Sequence, residues 1–202
     1  MLFHPDFIRN YPLGKKIREY GFFSYSVAEA LYLSEKEKEI IIGIFKNIER
    51  ELNSAIDHFS QEVIISQIEL LLSYSKRFYN RQFITRRTGS NDLLTRFEEL
   101  LVEHFDTEKA LVTGLPTVQQ FADQLNVSPY YLSDMLRTLT GQNTQQHIHN
   151  GLIEKVKEIL STTNISIAEV AYKLGFEYPQ SFNKIFKRKT KMSPIEFRRS
   201  LN

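Results

Sequence analysis

The 202-residue sequence predicts an all-α fold, in which two helix-turn-helix subdomains joined by a long linker helix follow a pair of helices. Three observations lead to this prediction. A short pattern occurs twice in the C-terminal half, and apolar residues recur every three or four positions in the longer segments. No stretch alternates apolar and polar residues for long enough to build a β-barrel. We therefore expect three parts, at residues 1–83, 84–92 and 93–202.

The first part begins with turns and short pieces and continues with a helix. Residues 1–33 are rich in aromatic residues, proline and glycine, and are too few to close a core of their own. Ser34 and Glu37 form a capping box that starts a helix over Ser34–Ile56. Its apolar positions follow helical spacing and are Ile40, Ile41, Ile44, Phe45, Ile48 and Leu52.

A second helix, Ser60–Phe83, has an apolar face so wide that one neighbouring helix cannot cover it. One partner is the preceding helix. The other is either the same helix of a second subunit or a missing part of the same domain. We place the homodimer first and assign its contact to residues 60–83, in particular to Ile68, Leu71, Leu72 and Phe78.

The segments that follow connect this helical pair to the repeated pattern. Residues 84–92 form a polar linker that contains Gly89. A helix is predicted over Leu93–Phe105, with its apolar side under the first helix-turn-helix. Val112–Pro116 is predicted to turn the chain into the first copy of the repeat.

The repeat itself is the strongest signal in the chain. Its first copy runs from Thr117 to Asn143 and its second from Ser166 to Ser193. Matching positions lie 49 residues apart up to Asn126 and Gly175, and 50 residues apart from Leu132 and Phe182 onwards. Two copies in register indicate one fold element used twice.

The pattern of each copy predicts a helix, a tight turn and a second helix. We place the two helix-turn-helix subdomains at 117–141 and 166–191. Thr117 with Gln120, and Ser166 with Glu169, are capping boxes. Asn126 and Gly175 tolerate the left-handed backbone that the turn requires. The second helix of the first copy starts at Ser128, with proline at its first position.

A long helix over 143–162 joins the two copies. Asn143 caps it, and its apolar stripe consists of Ile148, Leu152, Val156, Ile159 and Leu160. A helix of this length spans about 27–30 Å. That length approaches the ~34 Å between successive major grooves on one face of B-DNA.

The second copy and the residues after it resemble the signature of the AraC/XylS family of transcription regulators, over about the last half of the chain. The resemblance is carried by Ala171, Gly175, Phe176, Phe182, Phe186, Lys187, Ser193, Pro194, Phe197 and Arg198. Lys191 departs from the family, which usually has glycine there; it must either adopt the left-handed conformation or end the helix differently.

The resemblance implies a cytoplasmic regulator that binds a double-stranded DNA operator and has RNA polymerase as a partner. Residues 1–83 then correspond to the helical end of a regulatory domain. The β-barrel sensor that usually precedes such a helical pair is missing from the pattern, so we expect no small-molecule pocket and no cofactor. The operator, the target genes and the choice between activation and repression stay open.

The residues expected to touch DNA lie on the second helix of each copy. Carried over from the family pattern, the base contacts are Tyr130, Ser133, Asp134, Gln180, Asn183 and Lys184. The expected phosphate contacts are Arg137, Lys187, Arg188 and Arg198. Asp134 has two equally weighted roles, because it can accept a hydrogen bond from cytosine or pair with Arg137 within the helix.

Charge supports nucleic acid as the partner of the C-terminal half. Residues 1–109 carry 15 basic and 17 acidic residues, a balance of −2, whereas residues 110–202 carry 11 and 7, a balance of +4. Within 184–199 there are seven basic residues and only Glu196 is acidic. Clustered cations beside a helix-turn-helix are what phosphate binding requires.

Other functions have little support in the sequence. The chain has no cysteine, no glycine-rich phosphate loop, no metal-binding pair of histidines and no apolar run long enough to cross a membrane. We therefore expect neither an enzyme nor a metalloprotein. The remaining alternative is a helical interaction or dimerisation module that binds DNA only without sequence preference.

Overall fold

The computed structural model describes residues 2–85, 87–106 and 114–201, and it contains no β-strand in these ranges. The predicted all-α class is confirmed. The chain divides into two compact units, Met1–Arg87 and Thr88–Asn202.

The N-terminal unit consists of an irregular leading segment, residues 2–34, and two long helices. The leading segment contains α1 (Pro12–Lys16) and four 3-10 turns, at Pro5–Phe7, Ile17–Glu19, Gly21–Ser24 and Val27–Glu29. The long helices are α2 (Glu35–Leu52) and α3 (Ser60–Thr85). Ser34 caps α2 through the predicted capping box with Glu37. The sequence placed the end of α2 four residues too late, since the helix stops at Leu52.

The core of this unit corrects the prediction for the wide face of α3. Ile8, Leu13 and Tyr20 of the leading segment are buried in one apolar cluster with residues of both long helices. The four side chains assigned to a subunit contact, Ile68, Leu71, Leu72 and Phe78, are all buried as well. Their own chain covers most of their surface, so in the folded unit they offer too little exposed area for a contact between subunits. The assignment of these four residues to a dimer interface is therefore wrong.

Polar side chains near the C-terminal end of α3 fasten the leading segment to the helices. Gln82 is buried; it accepts a hydrogen bond from the backbone N–H of Tyr32 at 2.8 Å and donates to the carbonyl oxygen of Ala30 at 3.3 Å. Arg81 donates to the carboxylate of Glu37 and to the carbonyl of Tyr32, each at 2.8 Å. A buried amide whose donor and acceptor are both used fixes its neighbours strongly.

The predicted polar linker at 84–92 is mostly helical. Ile84 and Thr85 belong to α3, and residues 87–92 form the start of α4 (Arg87–Asp106); Arg86 lies outside the described residues. Thr, Gly, Ser, Asn and Asp have low helix propensity, so the linker was predicted from composition, but propensity is a weak guide that tertiary context overrides. The boundary between the two units falls within this stretch.

Within the described residues, the C-terminal unit contains α4 and six further helices. These are α5 (Val118–Gln124), α6 (Pro129–Thr140), α7 (Thr144–Thr162), α8 (Ile167–Lys173), α9 (Pro179–Thr190) and α10 (Pro194–Ser200). Helices α5 and α6 form the first helix-turn-helix, and α8 and α9 form the second. Helix α7, which has 19 residues, is the linker helix. Of the predicted turn at 112–116, residues 112 and 113 lie outside the described residues.

The two copies of the repeat fold alike, as their matching residues predict. Thr117, Asn143, Ser166 and Ser193 cap their helices, each through a complete capping box. Left-handed backbone occurs at Asn126 and Gly175, with φ of +55° and +79°. It also occurs at the ends of α6 and α9, with φ of +78° at Gly141 and +67° at Lys191. Of the two possibilities for Lys191, the structure therefore has the left-handed one.

Aromatic contacts hold each subdomain together. In the first, Phe97 of α4 packs edge-on against Phe121 of α5, with ring centroids 5.3 Å apart. In the second, Phe186 packs edge-on against Phe197 of α10 at 5.7 Å. Gly151 lets α4 approach α7 closely, because a Cβ atom there would lie only 3.2 Å from Leu101. As predicted, α4 lies against the first helix-turn-helix.

Candidate nucleic-acid interface

Helix α9 has one buried face and one exposed, basic face. Phe182 and Phe186 are fully buried and anchor the helix to its subdomain. The side chains predicted to touch bases or phosphate on this helix all lie on the other face and are exposed, namely Gln180, Asn183, Lys184, Lys187 and Arg188. The i, i+3 and i+4 spacing of these residues places them on one side of the helix.

Three polar side chains on this face are available for a ligand. Within the part of the chain that the structure describes, no hydrogen bond or ion pair engages Gln180, Asn183 or Lys184. Amide side chains can bond adenine in bidentate fashion, and a lysine can bond the O6 and N7 atoms of guanine. The face therefore offers free donors and acceptors that match base edges.

The corresponding face of α6 is different, because two of its three predicted base-contact residues are engaged within the protein. The Ser133 hydroxyl is half-buried and lies 3.0 Å from the hydroxyl of Thr144, which is fully buried. Asp134 accepts a hydrogen bond from Arg137 Nη1 at 2.9 Å. Tyr130 is 54% exposed and stays directed to solvent. Of the two roles weighed for Asp134, the structure contains the pair with Arg137.

The surroundings of Arg198 do not suit the phosphate contact predicted for it. Its Nε and Nη2 atoms are buried and have no hydrogen-bond partner among the described residues. A guanidinium group with two of its three nitrogens buried cannot present its planar fork to a phosphate. We therefore correct the prediction for Arg198; its exposed neighbour Arg199 places a positive charge at the surface of α10.

The sequence pattern did not single out Tyr178, which the structure places at the start of the reading helix. Tyr178 is the N-cap of α9 and is exposed, and its side chain makes no capping hydrogen bond. A hydrogen bond with Glu177 raises the pKa of the Tyr178 hydroxyl above its ordinary value. The one available signal was that tyrosine is unusual at an N-cap, where small polar residues are preferred.

The described residues offer no site for a metal ion and no membrane-spanning helix. No group of three or more histidine, aspartate or glutamate side chains in those ranges could hold a metal ion. None of the described helices combines the length and the apolar character needed to cross a membrane.

Comparison with known proteins identifies the C-terminal region. Residues 121–200 match the family model described as a helix-turn-helix domain. The chain is 28% identical over 143 residues to the HTH-type transcriptional regulator YfiF of Bacillus subtilis, a match covering 71% of this chain and 42% of that protein. It is 25% identical over 150 residues to the HTH-type transcriptional activator RhaS of Escherichia coli O1:K1, covering 74% and 49%.

A solved structure of similar sequence is the C-terminal domain of AraT, a response regulator from Geobacillus stearothermophilus. It is 29% identical, and the match covers 54% of this chain and 84% of that domain with a TM-score of 0.47. The chain spans less than half of the length of YfiF and of RhaS. Residues 121–200 therefore carry a helix-turn-helix domain, and the transcriptional regulators that match this region agree with the predicted resemblance to the AraC/XylS family.

Proposed function

We propose that this protein binds double-stranded DNA at specific sequences and regulates transcription, with α6 and α9 entering successive major grooves. The observation that supports this most directly is the exposed row of Gln180, Asn183 and Lys184 on α9, whose polar groups are not used by the described protein. A reading helix of this kind lies in the major groove and contacts base edges with residues near its N-terminus.

The length of α7 supports the use of two grooves by one chain. Its 19 residues span ~28 Å, and successive major grooves on one face of B-DNA are ~34 Å apart. A continuous helix with a buried apolar stripe keeps this length fixed, because Ile148, Leu152 and Val156 are packed in the core. One chain could then occupy two neighbouring grooves without a second subunit.

We infer that the two reading helices contribute unequally. Helix α9 has basic side chains at Lys187 and Arg188 beside its base-contact residues, and these would bind phosphate. Helix α6 has one cation on this face, Arg137, which is already paired with Asp134 at 2.9 Å. The second helix-turn-helix therefore supplies most of the affinity, while the first contributes contacts through Tyr130.

The proposal is tested by selecting bound sequences from a random pool of duplex DNA. We expect an enriched site with two conserved blocks about one helical turn apart, ~10 base pairs from centre to centre. The triple variant Gln180→Ala, Asn183→Ala, Lys184→Ala should lose the enrichment of one block. Lys46→Ala, an exposed lysine on α2, is the control that removes a positive charge elsewhere. A pool without any enriched sequence would contradict the proposal.

We further propose a protein partner and a place of action for this regulator. The relatives are named as transcriptional regulators and activators, which supports RNA polymerase as a further partner and the cytoplasm as the place of action. Which direction the regulation takes would be read from a reporter gene placed behind the selected site.

A second candidate function, self-association, is favoured by exposed apolar residues in the N-terminal unit. Leu52, Ile56 and Phe59, where α2 passes to α3, are all exposed. Apolar side chains in such a group often belong to protein interfaces. Sedimentation equilibrium of the wild type and of Leu52→Asp tests this, because a dimer made through this region should dissociate in the variant. A wild type that is monomeric at all concentrations would exclude it.

A further inference from the structure

The N-terminal unit contains a cavity that the proposed function does not use. It lies between the leading segment and the two long helices and has a volume of about 350 Å³. Its walls come from all three parts of the unit: Phe22 and Leu31 from the leading segment, Phe45 from α2, and Leu71 and Ser75 from α3.

The lining is almost entirely apolar. No charged side chain takes part in it, and Ser75 is the one polar residue among those that line it. The Ser75 hydroxyl donates to the carbonyl oxygen of Leu71 at 2.9 Å, so its hydrogen is already used within α3. A ligand in this cavity would therefore meet no ionic partner and little hydrogen bonding, and a charged ligand would lose its hydration without compensation.

The cavity opens to solvent through aromatic side chains. Phe23 and Phe45 belong to the lining and are 60% and 40% exposed, whereas Ile68 and Leu72, deeper in the unit, are buried. Large apolar side chains gain free energy when they leave water, at about 25 cal/mol per Å². A ligand that covers Phe23 and Phe45 would remove this exposure and fill the space behind them.

The volume limits the size of such a ligand. An engineered apolar cavity of about 150 Å³ in another protein binds benzene, and pockets for small molecules generally measure about 300–1,000 Å³. The present cavity is thus large enough for two aromatic rings and lies at the lower end of the range for small-molecule sites.

We propose that this cavity binds a small, neutral, apolar molecule of two or three aromatic rings or the equivalent aliphatic volume. The pocket was not predictable from the sequence, because its walls come from segments up to 72 positions apart, from Phe3 to Ser75. This inference concerns the N-terminal unit and is independent of DNA binding.

The test uses two fluorescent probes that share the same rings and differ in charge. N-phenyl-1-naphthylamine is neutral, and 8-anilinonaphthalene-1-sulfonate adds one sulfonate. We expect the neutral probe to bind the full chain saturably, with one site and an affinity at least about tenfold higher than that of the sulfonate. Unlabelled naphthalene should displace it, whereas naphthalene-2-sulfonate should not.

Two substitutions at one position link the binding to this cavity. Ser75→Phe fills the space and should weaken binding of the neutral probe by about tenfold or more, while Ser75→Ala keeps the space and should leave binding unchanged. Equal binding of both probes, or an unaltered affinity in Ser75→Phe, would show that the probe lies on exposed apolar surface and would overturn the proposal. The displacement by naphthalene tests the proposal on the unaltered chain, even where Ser75→Phe does not fold.

Discussion

Lys191 ends α9 with a left-handed backbone, at the position where the first copy of the repeat has Gly141. A residue with a Cβ atom is strained in this conformation by about 1–2 kcal/mol, whereas glycine is not. We therefore expect Lys191→Gly to raise the midpoint of thermal unfolding of the C-terminal unit by several degrees, about 4 °C.

The reciprocal substitution Gly141→Lys is the matched control, and it should lower the midpoint by a similar amount. A Cβ atom at Gly141 would meet no heavy atom within 4 Å, so only backbone strain is tested there. If both substitutions leave the midpoint unchanged, the two helix ends do not carry the strain that their φ angles indicate.

Lys184 and Lys187 are one turn apart on α9, and we expect them to act differently on DNA binding. Lys184→Ala should weaken binding by ~1–3 kcal/mol and relax the preference at one base pair. Lys187→Ala should weaken binding to all sequences alike and reduce the slope of log affinity against log salt by about 1. Titrations of each variant with the selected site and with scrambled DNA, at several salt concentrations, separate the two roles.

His147 and His149 give the stability of the C-terminal unit a pH dependence. Burial lowers the pKa of both imidazoles below the ordinary 6.5, and the charges of Lys189 and Arg188 lower that of His149 further, while Glu98 raises that of His147. The unfolded chain therefore binds protons at these two histidines more readily than the folded chain does. Their contribution to the free energy of unfolding is complete above pH 6.5 and is lost as the pH drops below it.

We expect the urea midpoint of the wild type to fall between pH 7.5 and 5.5, and to fall less in the double variant His147→Gln, His149→Gln. His58→Gln, at an exposed position in the N-terminal unit, is the control. An identical pH profile for the wild type and the double variant would contradict this origin of the dependence.

At the scale of the element, α6 and α9 show how one helix pattern can be used with different electrostatics. In α6 the carboxylate of Asp134 neutralises Arg137, whereas the matching positions in α9 are Lys184 and Lys187. An exposed ion pair of this kind contributes little to stability, about 0–1 kcal/mol. We propose that its larger effect is to make the Arg137 guanidinium less available to a DNA phosphate.

Asp134→Asn tests this reading of α6. If Asp134 acts only through Arg137, the substitution frees the guanidinium for a phosphate, and binding to all sequences should strengthen while the salt slope steepens by about 1. If the carboxylate instead reads a cytosine, the base preference at one position should change. Arg137→Gln is the matched control, because it should remove the uniform gain when combined with Asp134→Asn.

At the same scale, local signals were sufficient for the repeat and insufficient elsewhere. Caps and turns depend on residues within four positions of each other. The capping roles of Thr117 and Ser166 and the turn at Asn126 could therefore be predicted from sequence alone. The hydrogen bond between Ser133 and Thr144 joins two helices, and the burial of Arg198 depends on packing of α10, so neither follows from a helical pattern. The exposed row on α9 was predictable because its buried face is marked by Phe182 and Phe186.

At the scale of the whole molecule, two units with separate cores make up the chain. The sequence pattern predicted the wide apolar face of α3, and we expected a second subunit to cover the part that α2 leaves open. Residues 8, 13 and 20 of the same chain cover it instead. An irregular aromatic segment has no periodicity from which its docking could be predicted. Long-range burial by such segments is where prediction from sequence alone failed.

The division into units predicts that residues 88–202 fold without the rest. This fragment keeps its own aromatic core, including Phe97, Phe121 and Phe186, which are fully buried. We expect it to unfold cooperatively and to enrich the same DNA sites as the full chain. Circular dichroism and the selection experiment measure both properties, and a fragment that is unfolded or has lost its sequence preference would show that the N-terminal unit is required.

The unbroken helix α7 has a geometric consequence for the proposed operator. One residue added to a helix rotates everything after it by about 100° and advances it by only 1.5 Å. Three added base pairs give a rotation of about the same size but advance the site by about 10 Å. A change in linker length therefore cannot be compensated by re-spacing the operator, since rotation and advance are coupled differently in the two helices. We therefore expect the length of α7 and the spacing between the two blocks of the operator to stay constant, even where individual contacts change.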